Sequence, residues 1–412
     1  MPGNSSQKQI SIIGGRVILA LLGVSMALIL AESAARQFLG RPYMEDNGDL
    51  WTCERLIGWR GKPDTTTRIN TQGYVHEVVR NSAGMHDKEH PIEKAAGVFR
   101  ILVLGDSFVE ARQVAGHESS HSILEKALNA TAPANIRFEV ISAGASAWGP
   151  AQELMYFRTE GQLYQPNLVL AFWYPANDLM DVLPDHRMTF EGVNCYAPYF
   201  AVCTGKFDPE PWFSAPGIPP THASCSASKK TLTNLLNLLY HHSRLYQHLE
   251  PLLAKRQSKL KYAFDFSPWL EGTPDETLAY AYQVTDGIYT QLAHEAAQAG
   301  AKTAMVIVPL KQAIYYQLGS PYREQIEAGY PQLKQANPNL PNQVMTQLMA
   351  AKGIPVFDLQ PPFVAHLQAG GGVLYWDVDS HWNVPGNQLA GELIAQWLIE
   401  QKLVPIDPSV SR

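Results

Sequence analysis

Two rhythms of apolar and polar positions run along the chain. Short apolar runs recur from Phe99 onward: Phe99-Arg100-Ile101-Leu102-Val103-Leu104, Phe138-Glu139-Val140-Ile141-Ser142, Leu168-Val169-Leu170-Ala171-Phe172-Trp173, Thr303-Ala304-Met305-Val306-Ile307-Val308 and Pro355-Val356-Phe357-Asp358-Leu359. Runs of this length between turn residues predict buried strands. Helical spacing fills the gaps. Residues 121–130 put Ile123, Leu124, Ala127 and Leu128 on one face. Pro150 is placed to open a helix over 152–161, and Thr273-Pro274 to cap and start a long one ending near Gly300. Two more helices are predicted over 341–351 and 387–403. Strand and helix in alternation predict an α/β fold with a central parallel sheet of about five strands and right-handed crossovers.

Three stretches break the rhythm. Residues 12–31 are apolar and uncharged apart from Arg16. Their core, 17–31, falls short of the roughly 20 residues that span a bilayer. Residues 12–15 and a snorkelling Arg16 bring it to length. A buried core helix, a cleaved signal peptide and an uncleaved signal anchor are the three readings, and the anchor is adopted. Glu32 sits badly close to the small residues Ser33-Ala34-Ala35 for cleavage. Residues 37–97 are polar with weak periodicity and read as a strap between membrane and core. Residues 184–270 are rich in Pro, Phe, Tyr and Trp and hold one helical run, 231–253, marked by Leu235, Leu236, Leu238, Leu239, Leu245 and Leu249. They read as an insertion. The predicted organisation is a tail and anchor over 1–36, a strap over 37–97, a core over 98–183 and 273–403, and an insertion over 184–272.

Composition narrows the function classes. The chain has 412 residues, 46% hydrophobic and 17% charged, with a net charge of −6. That is a folded globular protein without the basic footprint of a nucleic-acid binder. Of its four cysteines, Cys53, Cys195, Cys203 and Cys225, three lie in the insertion. No C-x-x-C pair points to zinc. With the apolar N-terminus they predict export and at least one disulfide, Cys195–Cys203 being the nearest local pair.

Candidate chemistry gathers just past strand ends, where open α/β sheets place their sites. Asp106-Ser107 follows the first strand, Gly144-Ala145-Ser146-Ala147-Trp148-Gly149 the second, and Asn177-Asp178 the third. Asp377, Asp379 and His381 precede the last helix. Ser107 reads either as a helix N-cap or as a nucleophile. Histidine activates serine near neutral pH, and a carboxylate fixes the imidazole tautomer. Backbone N–H groups and an amide hold a developing oxyanion. The acids and His381 could also ligate a metal, but Ser107 is the better partner, and no metal or cofactor is expected. Asp178 reads as structural, His241-His242 as a solvated helix face, and His117 and His121 as polar helix-start residues. The aromatics Tyr196, Tyr199, Phe200, Trp212 and Phe213 read either as insertion core or as the lining of a sugar or acyl cleft.

These blocks resemble the SGNH (GDSL-like) hydrolase family: Gly105-Asp106-Ser107-Phe108, the turn near 144–152, Asn177-Asp178, and Asp379-Ser380-His381 with Trp382-Asn383 behind. The resemblance covers about 98–181 and 273–403. It implies a flavodoxin-like three-layer sandwich and serine ester hydrolysis or acyl transfer. It assigns Ser107 as nucleophile, His381 as base and Asp379 as orienting acid. The oxyanion donors would be the Ser107 and Ala147 N–H groups and the Asn177 side chain. The family's second-block glycine is Ala147 here, so a backbone needing positive φ would be strained by about 1 kcal/mol. Many members place the acid three before the histidine, at Val378 here. The Asp-x-His-Trp dyad of the branch that modifies exported polysaccharides selects Asp379 over Asp377.

The expectation is a single-pass membrane protein with its catalytic domain on the extracytoplasmic side. It would act as an esterase or O-acyltransferase, acetyl foremost, on an envelope or extracellular glycan, without nucleic-acid partners. A lipid esterase, or a non-catalytic membrane-tethered glycan-binding or assembly subunit that keeps the fold, stands as the alternative.

Overall fold

The computed structural model describes residues 4–39, 50–71, 73–183, 195, 197–214, 225, 227–253, 267–270, 274–319, 321–329, 334 and 336–406. Helix α1 (Asn4–Phe38) contains one stretch, Gly15–Phe38, long and apolar enough to cross a membrane. Its side chains from Val17 to Leu30 are widely exposed, so it is no core helix. Two antiparallel hairpins follow: β1 (Trp51–Glu54) with β2 (Gly58–Gly61), and β3 (Thr66–Asn70) with β4 (Val75–Val79).

The apolar runs form strands because both faces of one sheet are covered. Strands β5 (Val98–Gly105), β6 (Arg137–Gly144) and β7 (Leu168–Trp173) come first. The antiparallel hairpin β8 (Ala197–Cys203) and β9 (Lys206–Ser214) interrupts, then β10 (Lys302–Ile307) and β11 (Val356–Asp358) complete the sheet. The order is β6-β5-β7-β10-β11, all parallel. This is the flavodoxin-like order, whose crevice opens where the winding reverses, between β5 and β7.

Alternate strand residues point to opposite faces. Ile101, Val103, Val140, Leu170 and Val306 face one layer. There they meet α3 (Ser120–Ala130), α12 (Gln360–Gln368) and α13 (Val384–Glu400) through Leu124, Phe363 and Ile394. Leu102, Leu104, Ile141, Val169 and Met305 face the other. That layer is built by α4 (Pro150–Thr159), α8 (Glu276–Gln298) and α11 (Leu340–Ala350) through Leu154, Ile288 and Met345.

The strap is woven into this core. Trp51, Ile57, Trp59 and Met85 are buried beside α4 and α8. The Trp59 indole donates to the Ser146 carbonyl (2.9 Å), and the Trp148 indole returns a bond to the Trp59 carbonyl (2.7 Å). His90 lies between Asp87 (3.0 Å) and Glu139 (3.2 Å), and Glu139 also accepts from buried Arg100 (2.6 Å).

The structure corrects four local expectations. The run over 231–253 is two helices, α6 (Ala227–His242) and α7 (Arg244–Leu253). The helix breaks at Ser243 because the Glu32 carboxylate of α1 takes the N–H groups of Arg244 and Leu245 and starts a new helix there. His241 is half-buried rather than solvated, and burial lowers its pKa to about 4. Thr273 lies outside the described residues. The cap of α8 is Asp275, whose side chain accepts the Leu278 N–H (2.7 Å).

The fourth correction concerns the disulfides, which are Cys53–Cys195 and Cys203–Cys225, with Cα separations of 5.6 and 5.7 Å. Cys195–Cys203 is excluded by the extended strand Ala197–Cys203 that separates them. At about 3.3 Å per residue, that strand alone holds its ends roughly 20 Å apart, far beyond disulfide reach. The insertion aromatics Tyr199, Phe200, Trp212 and Phe213 are buried as core, and Tyr196 lies outside the described residues.

Two outcomes follow for stability. Cys53→Ser removes the link between strap and insertion and lowers unfolding free energy by about 2–5 kcal/mol in a denaturant titration. Burial alone would lower the His90 pKa, but Asp87 and Glu139 outweigh it and raise it. A raised native pKa stabilises fully below the unfolded value, about 6.5, and is lost as pH climbs through the native one. Urea unfolding at about pH 6 and about pH 9 will show the loss, and His90→Gln will flatten it.

Candidate functional site

The site sits at the carboxyl ends of β5, β6 and β7. Gly105 closes β5 because a Cβ there would lie 2.5 Å from the Val109 side chain and 3.0 Å from the Phe172 Cβ. Asp106 caps the short helix α2 (Ser107–Glu110), its carboxylate accepting the Phe108 N–H (2.9 Å). Capping therefore falls to Asp106 and leaves the Ser107 hydroxyl for another partner. That partner is His381, whose Nε2 lies 2.7 Å from Ser107 Oγ. The imidazole Nδ1 bonds Asp379, which also accepts the His381 N–H (3.0 Å).

A tight loop presents this pair. Tyr375 and Trp382 form a β-bridge, and Asn383 caps α13 by accepting the Gly386 N–H (2.9 Å). Lys311, on α9 (Lys311–Leu318), donates to the carbonyls of Trp376 (2.6 Å) and Asp379 (3.2 Å). The imidazole packs on Phe108, with ring centroids 4.9 Å apart. The Tyr74 hydroxyl, from the turn between β3 and β4, donates to the second Asp379 oxygen (2.9 Å). Burial pushes the Asp379 carboxyl up, but the bonds from His381 and Tyr74 outweigh it and hold it well below the usual carboxylate range. Asp377 is exposed, and the carboxylate bonded to His381 is that of Asp379.

Opposite lies the turn after β6. Ala147 has φ +60°, the left-handed region that favours glycine. Glu110 holds it there. Its buried carboxylate accepts the Ser146 N–H (2.9 Å) and hydroxyl and pairs with buried Arg80 of the strap. Gly144 must lack a Cβ, which would fall 2.8 Å from the Glu110 nitrogen. Neither the Ser107 nor the Ala147 N–H meets an acceptor among the described residues. The Asn177 amide donates to Asp181 (3.0 Å), and its carbonyl oxygen has no partner among the described residues.

Three buried acids lie behind. Burial lifts Asp106 to about 6. Burial and the Asp106 charge raise Glu153 and Asp178 well above the carboxylate range, and each keeps an oxygen without a partner. Protonation is the physical answer to such burial. Asp178 accepts the Tyr174 N–H (2.6 Å), a structural role. His121 is buried against Ser119 (3.0 Å), His117 is exposed on a one-turn helix, and neither touches Ser107. Among the described residues no cluster of three metal-ligating side chains occurs.

The structure thus brings Ser107, His381 and Asp379 into one hydrogen-bonded line, with the Ser107 and Ala147 N–H groups open. Sequence reasoning missed Tyr74, Glu110, Arg80 and Lys311. Glu110 carried a signal, as a lone acid in the otherwise apolar stretch Phe108-Val109-Glu110-Ala111. Ala147→Gly should raise stability by about 1 kcal/mol, since glycine adopts this backbone without strain. Glu110→Gln should lower it by about 3–5 kcal/mol by leaving Arg80 buried and unpaired. Urea titration measures both.

Among curated proteins none matches the chain. Several solved structures are similar. They include the acetyl xylan esterase AlAXEase, at 11% identity over 73% of this chain and 99% of that one, TM-score 0.36. The psychrotrophic esterase EstA from Pseudoalteromonas sp. matches at 13% identity over 74% and 98%, TM-score 0.35. A mutant of Axe2, an acetyl-xylooligosaccharide esterase from Geobacillus Stearmophilus, matches at 11% over 76% and 97%, TM-score 0.38. At these scores the likeness is loose and bears no weight. Residues 274–408 match the family model described as SGNH hydrolase-like domain, acetyltransferase AlgX. That matched segment is similar to the family's domain and supplies Asp379 and His381 to the cluster.

Proposed function

We propose that the chain transfers or hydrolyses O-acyl groups, acetyl foremost, on an envelope or extracellular glycan through an acyl-Ser107 intermediate. The observation that carries this reading is the line from Ser107 Oγ to His381 Nε2 (2.7 Å) and on to Asp379. His381 takes the Ser107 proton as Oγ attacks the ester carbon. Asp379 fixes the imidazole tautomer and steadies the imidazolium. The oxyanion is received by the Ser107 and Ala147 N–H groups, with Asn177 as a third donor. His381 then protonates the leaving alcohol oxygen, and the C–O bond breaks. Water or a sugar hydroxyl, deprotonated by the same imidazole, resolves the acyl-enzyme.

The family description supports the acetyl group, since it names an acetyltransferase. Two disulfides and one apolar helix support an anchored domain on the extracytoplasmic side. The test uses the full chain in detergent, a fluorophosphonate and an aryl acetate. Ser107→Ala should abolish labelling and cut turnover at least about 1,000-fold. Labelling that survives this substitution would sink the reading. Supplying a glycan acceptor and weighing the product separates transfer from hydrolysis.

A further inference from the structure

Glu32, near the end of α1, acts as the N-cap of a different helix. Its carboxylate accepts the Ser243 hydroxyl (2.8 Å) and the N–H groups of Arg244 (2.9 Å) and Leu245 (3.0 Å), the open first turn of α7. Arg36, one turn further on, donates to the His242 carbonyl at the end of α6. The joint between α6 and α7 is therefore pinned to the C-terminal end of α1, whose apolar stretch suits a bilayer.

Helix α6 has two unlike faces. On the inner one, Leu236 packs on Phe213, and buried Asn237 donates to the Arg55 carbonyl (3.2 Å). Lys230 pairs with Asp208 there (2.8 Å). On the outer one, Leu232, Leu235, Leu238 and Leu239 are 53%, 49%, 41% and 36% exposed. At 3.6 residues per turn these four fall within an arc of about 120°. Leu249 of α7 is also exposed. A leucine stripe open to solvent marks a contact surface. The occupant is indicated by position, because the exposed side chains of α1 up to Leu30 need lipid and the stripe belongs to the element fastened at that helix end. A one-sided apolar helix suits the boundary of headgroups and acyl chains.

We propose that the leucine face of α6, together with Leu249, is seated in the interfacial layer of the bilayer that α1 crosses. The proposal rests on α1 as a membrane span and is independent of the chemistry at Ser107. The four native cysteines are paired, so one introduced thiol can carry a polarity-sensitive fluorophore. The full chain is reconstituted into vesicles of phosphatidylcholine with phosphatidylglycerol as the minority lipid, with or without spin-labelled acyl chains. Labels go at Leu235→Cys, at Ile18→Cys in α1, and at Glu392→Cys on the exposed side of α13. Leu239→Cys replaces Leu235→Cys should that variant fold poorly, as judged by its thermal unfolding followed by circular dichroism.

Positions 18 and 235 should emit at shorter wavelength and lose roughly half their emission to the spin labels, while 392 loses none. Quenching at 18 with 235 behaving like 392 would overturn the proposal. A label at 235 shielded equally in detergent, yet unquenched by lipid, would assign the face to a second copy and overturn it too. No quenching at 18 would remove the span, and the proposal with it, leaving the reading of Ser107 untouched.

Discussion

One buried carboxylate ties the site together. Glu110 ends the four-residue helix that begins with Ser107, holds both donors of Ser146, and pairs with Arg80 from the strap. Three buried chain segments meet there. A buried ion pair of this kind gives little net stability, yet losing one partner is costly. Its worth lies in geometry. It fixes the distance between the serine and the turn at Ala147, and it keeps that turn in a conformation alanine resists.

The opposite wall follows the same logic by different means. Asp379 is bound on one side by His381 and on the other by Tyr74, while Lys311 gathers the carbonyls of the loop that carries it. Asp106, Glu153 and Asp178 are buried behind. There burial and mutual repulsion favour the neutral form of Glu153 and Asp178. The strap supplies Arg80 to one wall and Tyr74 to the other. It is part of the site.

The sheet was legible in the sequence because each strand is a short apolar run between turn residues, and alternation with helices leaves few topologies. Ser107, Asn177 and His381 could be grouped because strand ends converge in such a sheet. What stayed hidden is long-range. Tyr74 reaches Asp379 across 305 residues, and no local pattern marks a tyrosine as the partner of a distant acid. The cysteine pairs were illegible for a related reason. Four cysteines allow three connectivities, and the nearest pair is the one held apart by an extended strand. The break at Ser243 depends on a side chain from another helix, which helical periodicity does not record.

The two ends of the Ser107–His381 contact come from far apart in the chain. Ser107 and His381 are 274 residues apart, and the loop that presents His381 is held by the cap of the last helix. During synthesis the serine emerges long before its imidazole. Until α13 has formed, the Ser107 hydroxyl lacks its imidazole partner. The contact is thereby coupled to completion of the fold, a delay written into the spacing of two residues.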